Sequence, residues 1–288
     1  MTQHFYAQHS PITALRDKVS LAADLPTSVP EIVRTVRGLL IHSGWAQFYG
    51  CKFEEVRSEE LYLRTLPEML GGIEALDPSP LTQTRQPQRR LVSLCRDFSV
   101  LLIALLRHQE RPARLRVGFA GYFGDKNPQF WDHRLAEYWN DERERWVMVD
   151  AMVDEVVMRT LSHPVDPLNT NSTSPFLLAG EVWRGCRAGQ LDPQDFGDAP
   201  DDKGMAPIRY ALLHDFDALN KVEVLGFDAW HPLIDKPERD LTEKDYAFLD
   251  EVADLTVHAD QNLPKLRNTY ERSEYGRTMR KLCGLVTC

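Results

Sequence analysis

The sequence has no run approaching the roughly 18 apolar residues that a membrane-spanning helix requires. Its start, Met1-Thr2-Gln3-His4-Phe5-Tyr6, lacks the charged stretch and apolar core of a secretory leader. Basic residues are outnumbered, 34 Lys and Arg against 43 Asp and Glu, and no block of five or more cations breaks the balance. The resulting net charge of -9 argues against a nucleic-acid partner, because such binding is driven by cations that displace counterions from phosphates. Together these absences predict a cytoplasmic protein with neither membrane nor nucleic acid among its partners. They say nothing about oligomeric state.

Cysteine is also scarce. The five, at 51, 95, 186, 283 and 288, form an odd set with no Cys-x-x-Cys pair, which excludes a disulfide framework of the secreted kind. Cys283 and Cys288 have no following histidine to complete a metal site, and the tail that carries them is expected to be poorly structured. His42, His108, His163, His214, His231 and His258 are scattered without the His-x-x-x-His spacing of ligands on one helical face. The acidic stretch from Asp192 to Asp202 lacks the alternating oxygen ligands and closing Glu of a calcium loop, and is read as a solvated loop. No metal and no other cofactor is therefore expected.

What is present is material for a sizeable core, 288 residues of which 43% are apolar. Pro11, Pro26 and Pro30 punctuate the first thirty residues, which suggests an extended arm. From Ser28 to Gly44, apolar residues at helical spacing (Ile32, Val33, Val36, Leu39, Leu40) predict an amphipathic helix. Asp77 to Pro87 is a loop. After Ser93, a plausible N-cap, an almost continuous apolar run from Phe98 to Leu106 predicts a buried helix of about 15 residues. Strand character follows over Ala113 to Phe123, then over His133 to Trp139 and Arg145 to Asp150, with the polar turn Asn140 to Glu144 joining the last two as an antiparallel hairpin. Beyond Asp150 helices are predicted from Phe176 to Ala188, from Ala206 to Leu219, and after a Thr242 cap with Asp245 three residues on.

Cys95 opens the apolar helix. Unpaired backbone N–H groups and the helix dipole at that end favour negative charge, so they lower a thiol's pKa and can also donate to an oxyanion. If the hairpin turn is centred between Asp141 and Glu142, His133 falls directly opposite Asp150, with Cβ atoms about 4.5–5.5 Å apart. A carboxylate there would hold the imidazole in one tautomer and stabilise its protonated form, which is what a nucleophile, His, acid triad needs.

Four segments in order, Leu94-Cys95-Arg96-Asp97-Phe98, Pro112-Ala113-Arg114, Asp132-His133-Arg134-Leu135-Ala136-Glu137-Tyr138 and Trp146-Val147-Met148-Val149-Asp150, resemble the transglutaminase-like superfamily over about residues 90 to 155. The resemblance implies an α+β fold with a papain-like core. In it the nucleophile helix packs on an antiparallel sheet, and Cys95, His133 and Asp150 take the Cys, His and Asp roles. Residues 1–30 would then be an N-terminal arm, 31–160 the catalytic core, and 161–288 a mostly helical extension packed on it. A site of this kind also draws an oxyanion donor from upstream, for which Trp45 and Gln47 are the candidates. The implied activity is acyl transfer through a thioester on Cys95, from an amide, ester or thioester of a peptide or small molecule to water or an amine. The alternative from another class is a catalytically silent binding or scaffold protein of the same fold.

Overall fold

A computed structural model describes residues 2–51, 57–124, 128–172, 176–273 and 276. Cys283 and Cys288 lie outside them. The expected extended arm is instead partly helical, with a short helix α1 (Thr2–Ala7) and a 3-10 segment Arg16–Ala22. Tyr6 is the reason: its ring is fully buried and its hydroxyl donates to the Leu219 carbonyl at 3.0 Å, so α1 is tied to the far half of the chain.

Helix α2 (Val29–Leu39) starts with Pro30 in its first turn, where a missing N–H removes no helical hydrogen bond, and buries Ile32, Val33, Val36 and Leu39. It stops five residues before the expected end at Gly44. Leu40–His42 is a strand, β1, because an apolar run this short suits either state and a partner strand decides it. After α3 (Leu66–Leu76), that partner is β2 (Leu91–Ser93), which runs parallel to β1 and sets His42 beside Ser93.

Helix α4 (Cys95–His108) is buried from Arg96 through Arg107. Its cap is Leu94 and not Ser93, whose hydroxyl donates to Leu91 O at 3.1 Å; the Leu94 N–H donates to Asp97 Oδ2 at 2.9 Å. Strands β3 (Ala113–Ala120), β4 (Phe130–Asn140) and β5 (Arg145–Val149) follow as an antiparallel set, with β4 between the other two. The β4–β5 register places Tyr138 opposite Val147 and Ala136 opposite Val149. Extending it sets Asp150 opposite Leu135, two positions from the expected His133. A shift of two keeps the same face, so the two side chains remain diagonal neighbours.

The short helix α5 (Glu155–Met158) is capped by the Asp154 carboxylate. The expected helix from Phe176 opens with a strand, β6 (Phe176–Leu178), on the edge of β3, and becomes helix α6 only at Ala179–Arg187. The expected solvated acidic loop contains β7 (Phe196–Ala199) and β8 (Asp202–Lys203). Phe196 is the cause, since it is buried against Phe119 and Phe130. Because β7 runs parallel to β4, the sheet is mixed and not wholly antiparallel, in the order β6-β3-β4-β7-β8 with β5 also on β4.

Helices α7 (Met205–Leu219), α8 (Glu243–Val257, with Thr242 accepting from the Asp245 N–H) and α9 (Ala259–Arg272) complete an α+β fold. Helix α9 carries Pro264 inside it and was not foreseen. Two apolar cores meet at β3. One joins α2, α3 and α4 to Ala113 and Leu115, and the other joins α6 to α9 with Val117, Phe119 and Tyr6. Buried arginines bind the halves: Arg116 meets Asp215 at 3.0 Å and Arg107 meets Glu223 at 2.9 Å. Among the described residues no helix is long and apolar enough to cross a membrane.

Candidate active site

Cys95 is the first residue of α4, so its own N–H belongs to the turn that lacks intrahelical acceptors. It is half-buried and lines a cleft of about 380 Å³ together with His42, Trp45, Phe123, His133 and Arg134. A larger, open hollow of about 710 Å³ beside His231, Phe248 and Lys265 holds none of these groups. The smaller cleft is the one that Cys95 lines together with two histidines.

His133 lies buried in β4, opposite Gly118 of β3. Its Nε2 is 2.8 Å from Asp150 Oδ2, which leaves Nδ1 for the sulfur, and Cys95 and His133 are hydrogen-bond partners. Asp150 follows β5 and is fixed from every side. Oδ2 also accepts from the Tyr122 hydroxyl at 2.7 Å, Oδ1 accepts from the Met152 N–H at 3.0 Å, and the Asp150 N–H donates to Pro167 O at 2.8 Å. Arg37 reaches the same turn, donating to the Asp150 and Ala151 carbonyls at 3.3 and 3.2 Å.

These contacts set the charges. Burial alone would raise the Cys95 thiol, but hydrogen bonds to His133 and His42 and the charges of His133 and Arg134 reverse it, bringing the pKa down to about 6. Burial alone would lower His133, yet the Asp150 carboxylate and then the sulfur lift it to about 10. Asp150 is held below the usual carboxylate range, since the charge and hydrogen bond of His133, with Tyr122 and the Met152 N–H, outweigh its burial. At neutral pH the sulfur is thus a thiolate beside an imidazolium, backed by a carboxylate. The other thiols differ: burial raises Cys51, and burial with Asp192 and Asp195 pushes Cys186 up to about 11. Among the described residues no three His, Cys, Asp or Glu side chains converge as a metal site.

The structure brings Cys95, His133 and Asp150 together. It does not bring Gln47, which is exposed and outside the cleft. Trp45 lines the cleft, but its indole N–H donates to Thr160 Oγ1 at 2.9 Å and so is committed away from a reacting oxygen. Its ring packs edge-on against His42 at 4.9 Å and at a tilt against Phe123 at 5.3 Å.

Three residues at the site escaped the sequence reading. His42 was dismissed with the scattered histidines, yet the β1–β2 pairing delivers it to the sulfur. Tyr122 lies just past β3, with no local sign of its bond to Asp150. Arg134 adds fixed positive charge through a buried pair with Asp132 at 2.7 Å, and its other arm meets His214 Nδ1 at 3.3 Å. Burial and Arg134 lower His214 to about 3, so that ring is neutral and accepts. Adjacency to His133 was the one available signal for Arg134. No family model, curated protein or solved structure matches the chain.

Proposed function

We propose that this protein is a cysteine-dependent acyl-transfer enzyme that takes the acyl group of an amide, ester or thioester onto Cys95 and passes it to water or an amine. The observation that carries this reading is His133 held between the Cys95 sulfur and the Asp150 carboxylate. The thiolate attacks the carbonyl carbon, forming the C–S bond while the π electrons move to oxygen, and the Cys95 N–H can donate a hydrogen bond to the resulting oxyanion. As the oxyanion collapses, the bond to the leaving group breaks and His133 Nδ1 gives its proton to the departing atom. Water or an amine then attacks the thioester, His133 takes a proton from it, and the sulfur leaves as thiolate.

The placement of the cysteine at the start of α4, with His133 and Asp150 supplied by β4 and the end of β5, favours the papain-like, transglutaminase-like core suggested by the sequence. A cleft of about 380 Å³ walled by Trp45, Phe123, Trp131 and Phe227 suits a peptide segment or a small molecule as acyl donor. The unbridged thiols of Cys51, Cys95 and Cys186 suit a reducing compartment such as the cytoplasm.

The test is intact-mass measurement of the protein after exposure to a pool of amides, esters and thioesters. The reading predicts a covalent acyl adduct on the wild type that Cys95→Ala lacks, and the added mass names the group. A wild type that forms no adduct with any of the three classes, while Cys95 still alkylates as a thiolate, would contradict it.

A further inference from the structure

Two imidazoles, His42 and His133, line the cleft with the Cys95 sulfur, and among the described hydrogen bonds it is His133 that meets a carboxylate. His133 gives Nε2 to Asp150. His42 is held differently: its Nδ1 accepts the Gly44 backbone N–H at 3.1 Å. A nitrogen that accepts carries no proton, so the ring proton of His42 resides on Nε2. The ring therefore has Nε2–H as its available donor, and it lines the same cleft as the Cys95 sulfur, on which it acts.

Three features hold that donor in place. The parallel pairing of β1 with β2 sets His42 beside Ser93, two residues before Cys95 in the strand that leads into α4. Trp45 packs edge-on against the His42 ring and is itself pinned by its bond to Thr160. Gly44, which fixes the tautomer, lines the same cleft. The ring thus borders the cleft that Cys95, first residue of α4, also lines.

Resting on the acyl-transfer reading, we propose that His42 is a further catalytic residue, whose Nε2–H holds the Cys95 thiolate before attack and donates to the oxyanion once the carbonyl carbon has been attacked. The proton stays on His42 throughout. The C–S bond forms, the carbonyl π electrons move to oxygen, and the hydrogen bond transfers from sulfur, which loses its charge, to oxygen, which gains it. His133 alone carries protons to and from the leaving and entering groups. This assigns to His42 the donor role that Gln47, exposed and outside the cleft, and Trp45, bonded to Thr160, do not fill.

Two probes of the same sulfur separate the roles. Alkylation by iodoacetamide needs the thiolate but develops no oxyanion, whereas acylation by p-nitrophenyl acetate needs both. His42 is half-buried and lies outside the apolar clusters. His42→Phe is expected to lower the acylation rate by about 10²- to 10³-fold, the usual loss for one oxyanion donor, while alkylation at a pH where the thiol is fully ionised stays within about threefold. His42→Gln, which keeps an N–H donor, is expected to restore acylation at least tenfold over His42→Phe, and Gln47→Ala to leave it within about twofold. Equal losses of acylation and alkylation in His42→Phe, or no rescue by Gln, would overturn the assignment while leaving the acyl-transfer reading intact. A wild type that shows no Cys95-dependent acylation would overturn both.

Discussion

Tyr122 donates its hydroxyl proton to Asp150 Oδ2 at 2.7 Å, the same oxygen that lies 2.8 Å from His133 Nε2. One carboxylate oxygen therefore serves a phenol and an imidazolium together, and the phenol fixes where the negative charge is presented. Burial and the adjacent carboxylate keep Tyr122 protonated, so it can act only as a donor.

Tyr122→Phe removes that donor without opening space. A hydrogen bond to a charged group contributes about 1.5–3 kcal/mol, and part of this is expressed in the imidazolium. Acylation of Cys95 by p-nitrophenyl acetate is expected to slow by about tenfold as the carboxylate loses its fixed position, with the pH midpoint of thiol reactivity moving downward because Asp150, freed of the phenol, holds the imidazolium more strongly. An unchanged midpoint in a slowed variant would show that Tyr122 supports the fold and not the charge on Asp150.

Asp150→Asn keeps the shape and deletes the counter-ion. The pKa of His133 falls, the thiolate loses its partner, and acylation is expected to drop by at least about 10³-fold, as in other triads that lose their acid. Single-turnover rates decide it, and a loss below about tenfold would remove Asp150 from the mechanism.

The coupled protons make a prediction about stability. His133 is raised in the folded protein, so its contribution is complete below the unfolded value of about 6.5 and is lost as pH rises toward about 10. Cys95 is lowered, so its contribution is complete above the unfolded value near 8.5 and is lost as pH falls toward about 6. Between about 6.5 and 8.5 folding takes up a proton at His133 and releases one at Cys95, and the two slopes cancel. Cys95→Ala removes the release. Its stability relative to wild type is expected to decline with pH across that window by up to about 1.4 kcal/mol per unit. Urea unfolding at several pH values measures both slopes, and parallel curves would mean that sulfur and imidazole do not exchange the proton.

Gly118 stands opposite His133 in β4 and against β6 on its other side. A Cβ there would overlap the Leu177 carbonyl oxygen and press on the Phe176 ring. Gly118→Ala is expected to lose roughly 1–3 kcal/mol in urea unfolding, through displacement of β6. A variant as stable as wild type would show that β6 moves aside without penalty.

Local patterns in the sequence were strong where one element carried its own signal. The apolar run after Cys95, the polar turn from Asn140 to Glu144 and the Thr242 cap are all visible within a few residues. The hairpin register was read two positions off, because the turn is centred between Glu142 and Arg143 and not between Asp141 and Glu142. Since two positions preserve the face, His133 and Asp150 still meet. What stayed hidden depends on distant partners. Leu40–His42 becomes strand only because Leu91–Ser93 lies beside it, and Phe196 draws an acidic stretch into the sheet by stacking on Phe130 at 4.9 Å. Arg107, Arg114 and Arg116 carry no local sign of their partners, yet each is buried against a carboxylate, Glu223, Glu137 and Asp215 in turn.

The most direct measurement is the rate of Cys95 alkylation by iodoacetamide as a function of pH, followed by intact mass with Cys95→Ala as the blank. A thiolate held by His133 and His42 predicts half-maximal reactivity near pH 6 and a plateau through neutrality. A midpoint at or above the ordinary thiol value of about 8.5 would contradict the account.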